Sequence, residues 1–175
     1  MRLFLAINLP SGMKKQLAEF SGPLKGFGKL KLVEEENIHL TLKFLGEAKL
    51  GDVVPLLEKI KFAPFEASLE GVGVFPNAGR ARVIWVGCEK GAQEIIALHK
   101  AVEAALPQFE RGGDFHPHAT LARVSFLDDK TGLANFIEKN KIKDFGTFTA
   151  DSFDLMKSEL SRAGPKYEIV RKFPL

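Results

Sequence analysis

The chain has 175 residues and a mass of 19.3 kDa, a size typical of a single domain. Its 45% hydrophobic and 27% charged residues are ordinary for a globular protein and exclude intrinsic disorder. One cysteine excludes an intrachain disulfide and a cysteine-rich zinc site, and a net charge of +3 is too small to indicate nucleic-acid binding by itself. No apolar run is long enough for a membrane span, and the N-terminal one stops at Pro10, too early for a signal-peptide core, so we expect a cytoplasmic protein.

Apolar runs predict three strands in the first half of the chain, and helical spacing predicts two helices between them. In chain order these are the strand Arg2–Asn8, a helix that begins at Ser11 as its cap, the strand Asn37–Phe44, a helix around Asp52–Lys61 and the strand Phe65–Phe75. Apolar and polar residues alternate strictly over the second strand. We therefore expect Phe44 to face the core and Lys43 to share the opposite face with His39 and Thr41.

The second half of the chain repeats this order of elements. It contains the strand Ala81–Cys88, a helix over Ala92–Leu106, the strand Phe115–Val124, a helix over Asp128–Asn140, one long strand Phe145–Met156 and a last strand Tyr167–Phe173. A shift of 79 positions relates His39 to His118 and Phe65 to Asp144. We interpret the chain as a duplicated βαβαβ unit, with pseudo-repeats of about 1–78 and 79–157 followed by a C-terminal strand. The two halves should face each other across a cleft as lobes of one domain, 1–175.

One short motif occurs at equivalent places in the two halves, as His-Leu-Thr-Leu at His39–Leu42 and as His-Ala-Thr-Leu at His118–Leu121. Residues two apart on a strand share a face, so each motif projects a histidine and a threonine together. Imidazole acts as acid or base near neutral pH, and hydrolysis of a phosphodiester needs one of each. Threonine hydroxyls can donate hydrogen bonds to phosphate oxygens. One such pair occurs by chance, but its repetition at the offset that aligns the other elements predicts a phosphodiester-hydrolysing site.

The motifs and their flanks resemble the two-histidine (2H) phosphoesterase superfamily and, within it, the RNA 2′,3′-cyclic phosphodiesterase family, also known as 2′-5′ RNA ligases. The similar segments are Arg2–Pro10, Asn37–Glu47, Gly71–Gly87, Phe115–Val124 and Met156–Val170. The resemblance implies an α+β bilobal fold, with mostly antiparallel sheets that face a central cleft and with helices outside. It also implies opening of an RNA-terminal 2′,3′-cyclic phosphate to a 2′-phosphomonoester without metal or cofactor, with His39 as proton donor and His118 as proton acceptor.

The resemblance further implies that the partner is an RNA with a 2′,3′-cyclic phosphate end, for example a tRNA fragment. We expect a monomer that does not associate with membranes. Three alternatives remain open from the sequence. The same site could join RNA ends through a 2′-5′ bond, the His-Thr pairs could only bind an RNA end without turnover, or a histidine could act as the nucleophile of a nucleotide hydrolase.

Other residues near the motifs are candidates for the site. Thr41 and Thr120 are expected to bind the substrate phosphate. Arg123 matches an arginine of the family's second motif and would contact phosphate, but strict alternation puts it on the face opposite His118, so it reaches the cleft only through a bulge. Phe44 and Phe115 fit core positions but lie close to the motif ends, where either could stack a terminal base.

Three further side chains are assigned to less direct roles. Lys43 is expected to be a solvated lysine at a strand end, and Trp85 to lie in the core. His116, two residues before His118, suggests two ligands of a metal site. We disfavour that site, because its third ligand would be His39 and zinc would then occupy both proposed proton shuttles.

Overall fold

Nine strands and four α-helices follow one another in the computed structural model, which describes all 175 residues. The strands are β1 (Arg2–Asn8), β2 (Gly28–Leu32), β3 (His39–Glu47), β4 (Phe65–Phe75), β5 (Val83–Cys88), β6 (His118–Leu127), β7 (Asp144–Ala150), β8 (Ser152–Ser161) and β9 (Gly164–Pro174). The helices are α1 (Ser11–Ser21), α2 (Leu50–Leu57), α3 (Ala92–Ala105) and α4 (Lys130–Asn140). None of the helices is both long and apolar enough to span a bilayer.

Most of the predicted elements are confirmed, with three corrections. The short strand β2 was not predicted, because its alternation of lysine and leucine extends over only five residues. The expected single strand Phe145–Met156 is two strands, β7 and β8, which separate at the exposed Asp151 and pair with different neighbours. Ser11 is the first residue of α1 and makes no capping hydrogen bond, since Pro10 takes the position before the helix.

All nine strands belong to one antiparallel sheet with the order β7-β4-β5-β6-β3-β1-β8-β9, and β2 pairs with β6. The α+β class is thus confirmed, although the expected two sheets are one. The central strands β3 and β6 share a single bridged pair, Leu40 with Ala119. Beyond this pair β6 continues against β2, so the halves of the sheet meet at one point. These halves differ from the pseudo-repeats, because β4 lies beside β5 and β8 beside β1.

The two faces of the sheet have different surroundings. One face carries a core of 34 buried apolar residues, to which each helix contributes, for example through Leu17, Val53, Leu98 and Leu133. On the other face a small separate cluster contains Phe4, Ala6 and Met156, with Tyr167 packed against it. The second face is therefore the one on which the motif histidines lie, because the alternate residue Leu40 points into the main core.

Both central strands contain a β-bulge directly after the motif threonine. In β3 the pairing with β1 skips Leu42, and in β6 the pairing with β5 skips Leu121. These two leucines are related by the same shift of 79 positions as the histidines. An extra residue in a strand reverses which face every later side chain occupies.

The bulges overturn two of the expectations drawn from strict alternation. Lys43 is buried, with 4% of its surface exposed, whereas Phe44 is 68% exposed. Phe44 therefore lies on the cleft side of β3 and Lys43 points to the opposite side. In β6, Ala122 is buried and Arg123 is exposed. The bulge at Leu121 therefore turns Arg123 to the cleft side, as a contact with the phosphate would require.

Candidate active site

The two motifs lie side by side where the halves of the sheet meet. The bridge between Leu40 and Ala119 places His39 opposite Thr120 and Thr41 opposite His118. The two histidines are thus diagonal neighbours on adjacent antiparallel strands, a relation that separates their positions by about 7–8 Å. The structure thus brings the four motif residues together on one face, at a spacing that a phosphate group between the two rings would span.

Each motif histidine donates from Nδ1 to the carbonyl oxygen of the residue two positions earlier. His39 Nδ1 lies 2.6 Å from the oxygen of Asn37, and His118 Nδ1 lies 2.6 Å from the oxygen of His116. A carbonyl only accepts, so the proton of each neutral ring is on Nδ1 and Nε2 is the unprotonated nitrogen. Both rings therefore present the same basic atom, Nε2, to their surroundings.

The two threonines differ in their hydrogen bonding. Thr41 Oγ1 lies 2.8 Å from Nε2 of His39, and in the neutral ring this nitrogen accepts the hydroxyl proton. No such contact joins Thr120 to His118. Protonation of His39 at Nε2 would reverse this hydrogen bond and release the Thr41 hydroxyl hydrogen for another acceptor.

Burial disfavours the protonated form of both histidines in the free protein. The pKa of His39 is lowered to about 4, mainly by the cost of desolvation. Lys14, Arg123 and His118 lower it further, and only the hydrogen bond to the carbonyl oxygen of Asn37 raises it. Burial also lowers the pKa of His118. An anion between the rings would oppose these effects, because it stabilises the imidazolium form.

Cations surround the His39 side of the cleft. Arg123 and Lys31 line it together with one acidic residue, Glu34. Lys14, from the first turns of α1, donates to the carbonyl oxygen of Glu36 at 2.9 Å and lies close enough to lower the pKa of His39. Sequence reasoning missed Lys14, because only the apolar positions of the helix pattern were used. These charges make the cleft a favourable place for a phosphate group.

Aromatic side chains flank the two histidines on the cleft face. Phe4 and Tyr167 have ring centroids 5.1 and 5.5 Å from that of His39. Phe75 and Trp85 are 5.2 and 6.0 Å from that of His118. Trp85 was expected to lie in the main core, but it lies on the cleft face beside His118. The apolar run of its strand indicates burial on both faces, whereas one face is turned to the cleft.

Lys43, which was expected in solvent, anchors the loop that leads to the second motif. Its ammonium group donates to Glu103 Oε1 at 2.6 Å and to the carbonyl oxygen of Glu110 at 2.8 Å. The stretch from 106 to 117 is thereby held against β3. Phe115 stacks on His99, with ring centroids 3.9 Å apart, so of the two phenylalanines expected near the motif ends only Phe44 has a free ring face.

The hairpin of β8 and β9 forms a wall of the cleft beside His39. Asn37 Nδ2 donates to the carbonyl oxygen of Pro165 at 3.0 Å, and Lys31 reaches that of Ala163 at 3.4 Å. Tyr167, on the same hairpin, packs edge-on against the ring of His39. The hairpin thus contributes to the burial that lowers the pKa of His39.

The histidine pair His116 and His118 does not form part of a metal-ligand cluster. No three His, Cys, Asp or Glu side chains are arranged to hold a metal ion. The two rings have centroids 6.4 Å apart, and Nδ1 of His118 is bound to a carbonyl oxygen.

Comparisons with known proteins agree with this geometry. The model of the 2′-5′ RNA ligase superfamily matches residues 14–162. An RNA 2′,3′-cyclic phosphodiesterase from Methanocaldococcus jannaschii is 39% identical over 99% of this chain and 100% of its own length. One of the same name from Archaeoglobus fulgidus is 35% identical over 99% of both chains.

Two solved structures extend the comparison to the fold. Protein TT0787 of Thermus thermophilus superposes with a TM-score of 0.82 at 31% identity, over 100% of this chain and 98% of that one. LigT of E. coli complexed with 3′-AMP gives a TM-score of 0.79 at 25% identity, over 99% and 97% of the two chains. From these similarities, this chain belongs to the RNA 2′,3′-cyclic phosphodiesterase family of the 2′-5′ RNA ligase superfamily.

Proposed function

We propose that this protein hydrolyses the 2′,3′-cyclic phosphate at an RNA end to a 2′-phosphomonoester by acid–base catalysis with two histidines. The observation that carries the proposal is the diagonal pair of His39 and His118, each with Nδ1 bound to a carbonyl oxygen and Nε2 available for proton transfer. It is supported by the relatives named RNA 2′,3′-cyclic phosphodiesterase that match the whole chain.

In the proposed reaction, water is the nucleophile and the ribose 3′ oxygen is the leaving group. His118 Nε2 takes a proton from water as the water oxygen forms a bond to phosphorus. The bond between phosphorus and the 3′ oxygen breaks, and Nε2–H of His39 protonates that oxygen. The phosphate stays on the 2′ oxygen, and the two histidines have exchanged protonation states, which solvent then restores.

The threonines and Arg123 are assigned to the phosphate. The hydroxyl of Thr120 has no partner within the protein, so it can donate to a nonbridging oxygen without first breaking a bond. The hydroxyl hydrogen of Thr41 becomes available only when His39 is protonated. This arrangement couples the donor state of His39 to phosphate binding. Arg123, on the cleft side of β6, adds a charge-assisted contact.

The terminal base is assigned to Phe44. This side chain is 68% exposed and lines the same cleft as His39 and Thr41. A single aromatic face stacks any base, so this contact would hold the terminal nucleoside without selecting its identity.

Product analysis of a short RNA with a 2′,3′-cyclic phosphate end tests the proposal. The expected product is the 2′-phosphomonoester, formed with many turnovers per protein molecule. Binding without turnover would leave an RNA-end binding module. A 2′-5′ linked product formed in the presence of an RNA with a free 5′ hydroxyl would show ligation at the same site. That the natural substrate is a tRNA fragment, and that the protein acts as a cytoplasmic monomer, are further parts of the proposal.

A further inference from the structure

A basic and aromatic strip runs from the cleft along β2 and β6. In β2, Leu30 and Leu32 pack against the main core, so the alternate residues Lys29 and Lys31 project from the cleft face. Residues paired directly across two strands share a face. Lys31 is paired with Arg123 and Lys29 with Phe126. These four side chains therefore form one continuous surface, which we call the β2–β6 strip.

The lysines of the strip could serve only to protect the sheet edge from pairing with another strand, but the exposed Phe126 could not. Lysines on an edge strand such as β2 are a common defence against unwanted strand pairing. An exposed phenylalanine has the opposite effect, and Phe126 is 63% exposed. The register of β2 with β6 shifts beside it, which turns Phe126 outward together with Lys29. Among the large apolar side chains exposed on the protein, Phe44 and Phe126 are the two aromatic ones.

The charges of the strip are not neutralised within the protein. Lys29, Lys31 and Arg123 take part in none of the salt bridges of the structure. Lys31 and Arg123 line the cleft beside His39. Lys29 lies two residues farther along β2, a distance of about 7 Å, which one ribose–phosphate unit can span. The strip is thus a direct extension of the phosphate-binding cleft.

We propose that the β2–β6 strip binds the nucleotides immediately 5′ of the terminal one, so that the preferred substrate is an oligonucleotide. Lys29 and Lys31 would each contact a backbone phosphate, and Phe126 would stack the base of the nucleotide before the terminal one. An RNA that ends in a 2′,3′-cyclic phosphate continues only in the 5′ direction, so one strip beside the cleft is sufficient. A positive track with interspersed aromatic side chains is the usual surface for single-stranded RNA. The inference rests on the proposed function of the cleft.

Kinetics with two substrates that share the same terminal nucleoside test the inference. These are adenosine 2′,3′-cyclic monophosphate and an RNA trinucleotide that ends in the same cyclic adenosine. We expect the wild-type protein to have the higher kcat/KM with the trinucleotide. Lys29→Glu and Phe126→Ala should each raise KM for the trinucleotide by at least about fivefold, the lower range for loss of one stacked base or phosphate contact. Both variants should leave hydrolysis of the mononucleotide unchanged.

Matched controls use exposed residues away from the cleft. Lys59→Glu makes the same change of charge, and Ile142→Ala removes a side chain that is 74% exposed. Neither should change the kinetics with either substrate. The decrease of log kcat/KM with log salt concentration should become less steep in Lys29→Glu, by roughly 0.7 for one lost phosphate contact.

The outcomes separate this inference from the proposed function. If the wild-type protein hydrolyses neither substrate, the proposed function itself is wrong. If both substrates are hydrolysed and the strip variants behave as the controls do, the cleft is catalytic and the strip does not bind RNA. Dimers of the wild-type protein that dissociate in Phe126→Ala, with trinucleotide kinetics unchanged, would assign the strip to self-association and also overturn the inference.

Discussion

Binding of a phosphate anion between the motif histidines is expected to raise the pKa of His39. In the free protein burial lowers this pKa to about 4. About one ring in a thousand is then protonated at pH 7. The proposed reaction needs the protonated ring as donor, so the substrate itself must shift the equilibrium. Inorganic phosphate or a 2′-monophosphate product is a suitable probe, because either places a phosphate anion in the cleft without turnover.

The size of the shift follows from the distance between the charges. A unit negative charge about 4 Å from the imidazolium contributes roughly 4 kcal/mol at an effective dielectric constant of about 20. This energy corresponds to about three pKa units. The pKa of His39 would therefore rise from about 4 in the free protein to roughly 7 in the complex. Close to half of the bound molecules would then contain the proton donor at neutral pH.

NMR titration of the ring carbon-bound protons of His39, with and without the anion, measures the shift directly. The same reasoning predicts a bell-shaped dependence of kcat on pH, with a basic limb at higher pH than the basic limb of kcat/KM, because kcat reports the bound state. His118→Ala should remove the acidic limb from the residual activity. A pKa of His39 that does not change when the anion binds, or a rate that rises steadily to high pH, would refute the donor role.

Three other perturbations test the site. Replacing either motif histidine by alanine should lower kcat by roughly 10²–10⁴-fold, and EDTA should leave the rate unchanged; inhibition by chelators that zinc reverses would contradict this. Replacing either motif threonine by valine should cost about 1.5–3 kcal/mol in kcat/KM. Only Thr41→Val should also lower the free-state pKa of His39, because only Thr41 contacts its Nε2 and its hydroxyl bonds the protonated ring more strongly than the neutral one. Lys43→Met should lower the melting temperature and kcat, since it leaves Glu103 without its buried partner. Adding Glu103→Gln to this variant should restore part of the stability. Lys90→Met, which breaks an exposed ion pair, should have no effect.

Periodicity was sufficient to predict most of the elements and the convergence of the motifs. The buried strands and amphipathic helices have local patterns that extend over seven or more residues, and the offset between His39 and His118 depends only on the sequence. The strand β2 was missed because a five-residue alternation of lysine and leucine after a glycine-rich stretch resembles a solvated loop. Strict alternation of apolar and polar residues predicted the faces of the side chains correctly only up to the two bulges.

The bulge of β3 has no local sequence signal, because Leu42 is not a glycine and the alternation on either side of it is regular. In β6 the order Ala-Arg-Val after Leu121 does change the phase of the alternation, and this is the change that a bulge at Leu121 explains. The cost of burying Lys43 is compensated by Glu103, 60 residues later, and by a carbonyl oxygen of the following loop. Such a compensation exists only in the folded chain, so the reversal of faces after the motif could not be derived from the strand itself.

The repeated backbone also places two residues of different chemistry at equivalent positions of the central strands. In each central strand a histidine, a threonine and the fifth residue after the histidine face the cleft, and the bulge brings that fifth residue into place. The fifth residue is Phe44 in one strand and Arg123 in the other, so equivalent positions place an exposed aromatic ring and a charge on the cleft face.

The surroundings of the two rings differ in a further respect. The β8–β9 hairpin covers His39 through Tyr167 and through the bond from Asn37 to Pro165. The charge of a bound phosphate therefore acts on His39 through a medium with little water, where it is strongest. The hairpin residues that line the cleft lie on the His39 side, while the side of His118 is lined by the loop after α3. In the proposed reaction the nucleophile is a water molecule, which must reach a neutral Nε2 at His118. Enclosure thus suits His39 to take up a proton from solvent when the charge of the substrate is bound, and the more open side suits His118 to the proposed activation of water.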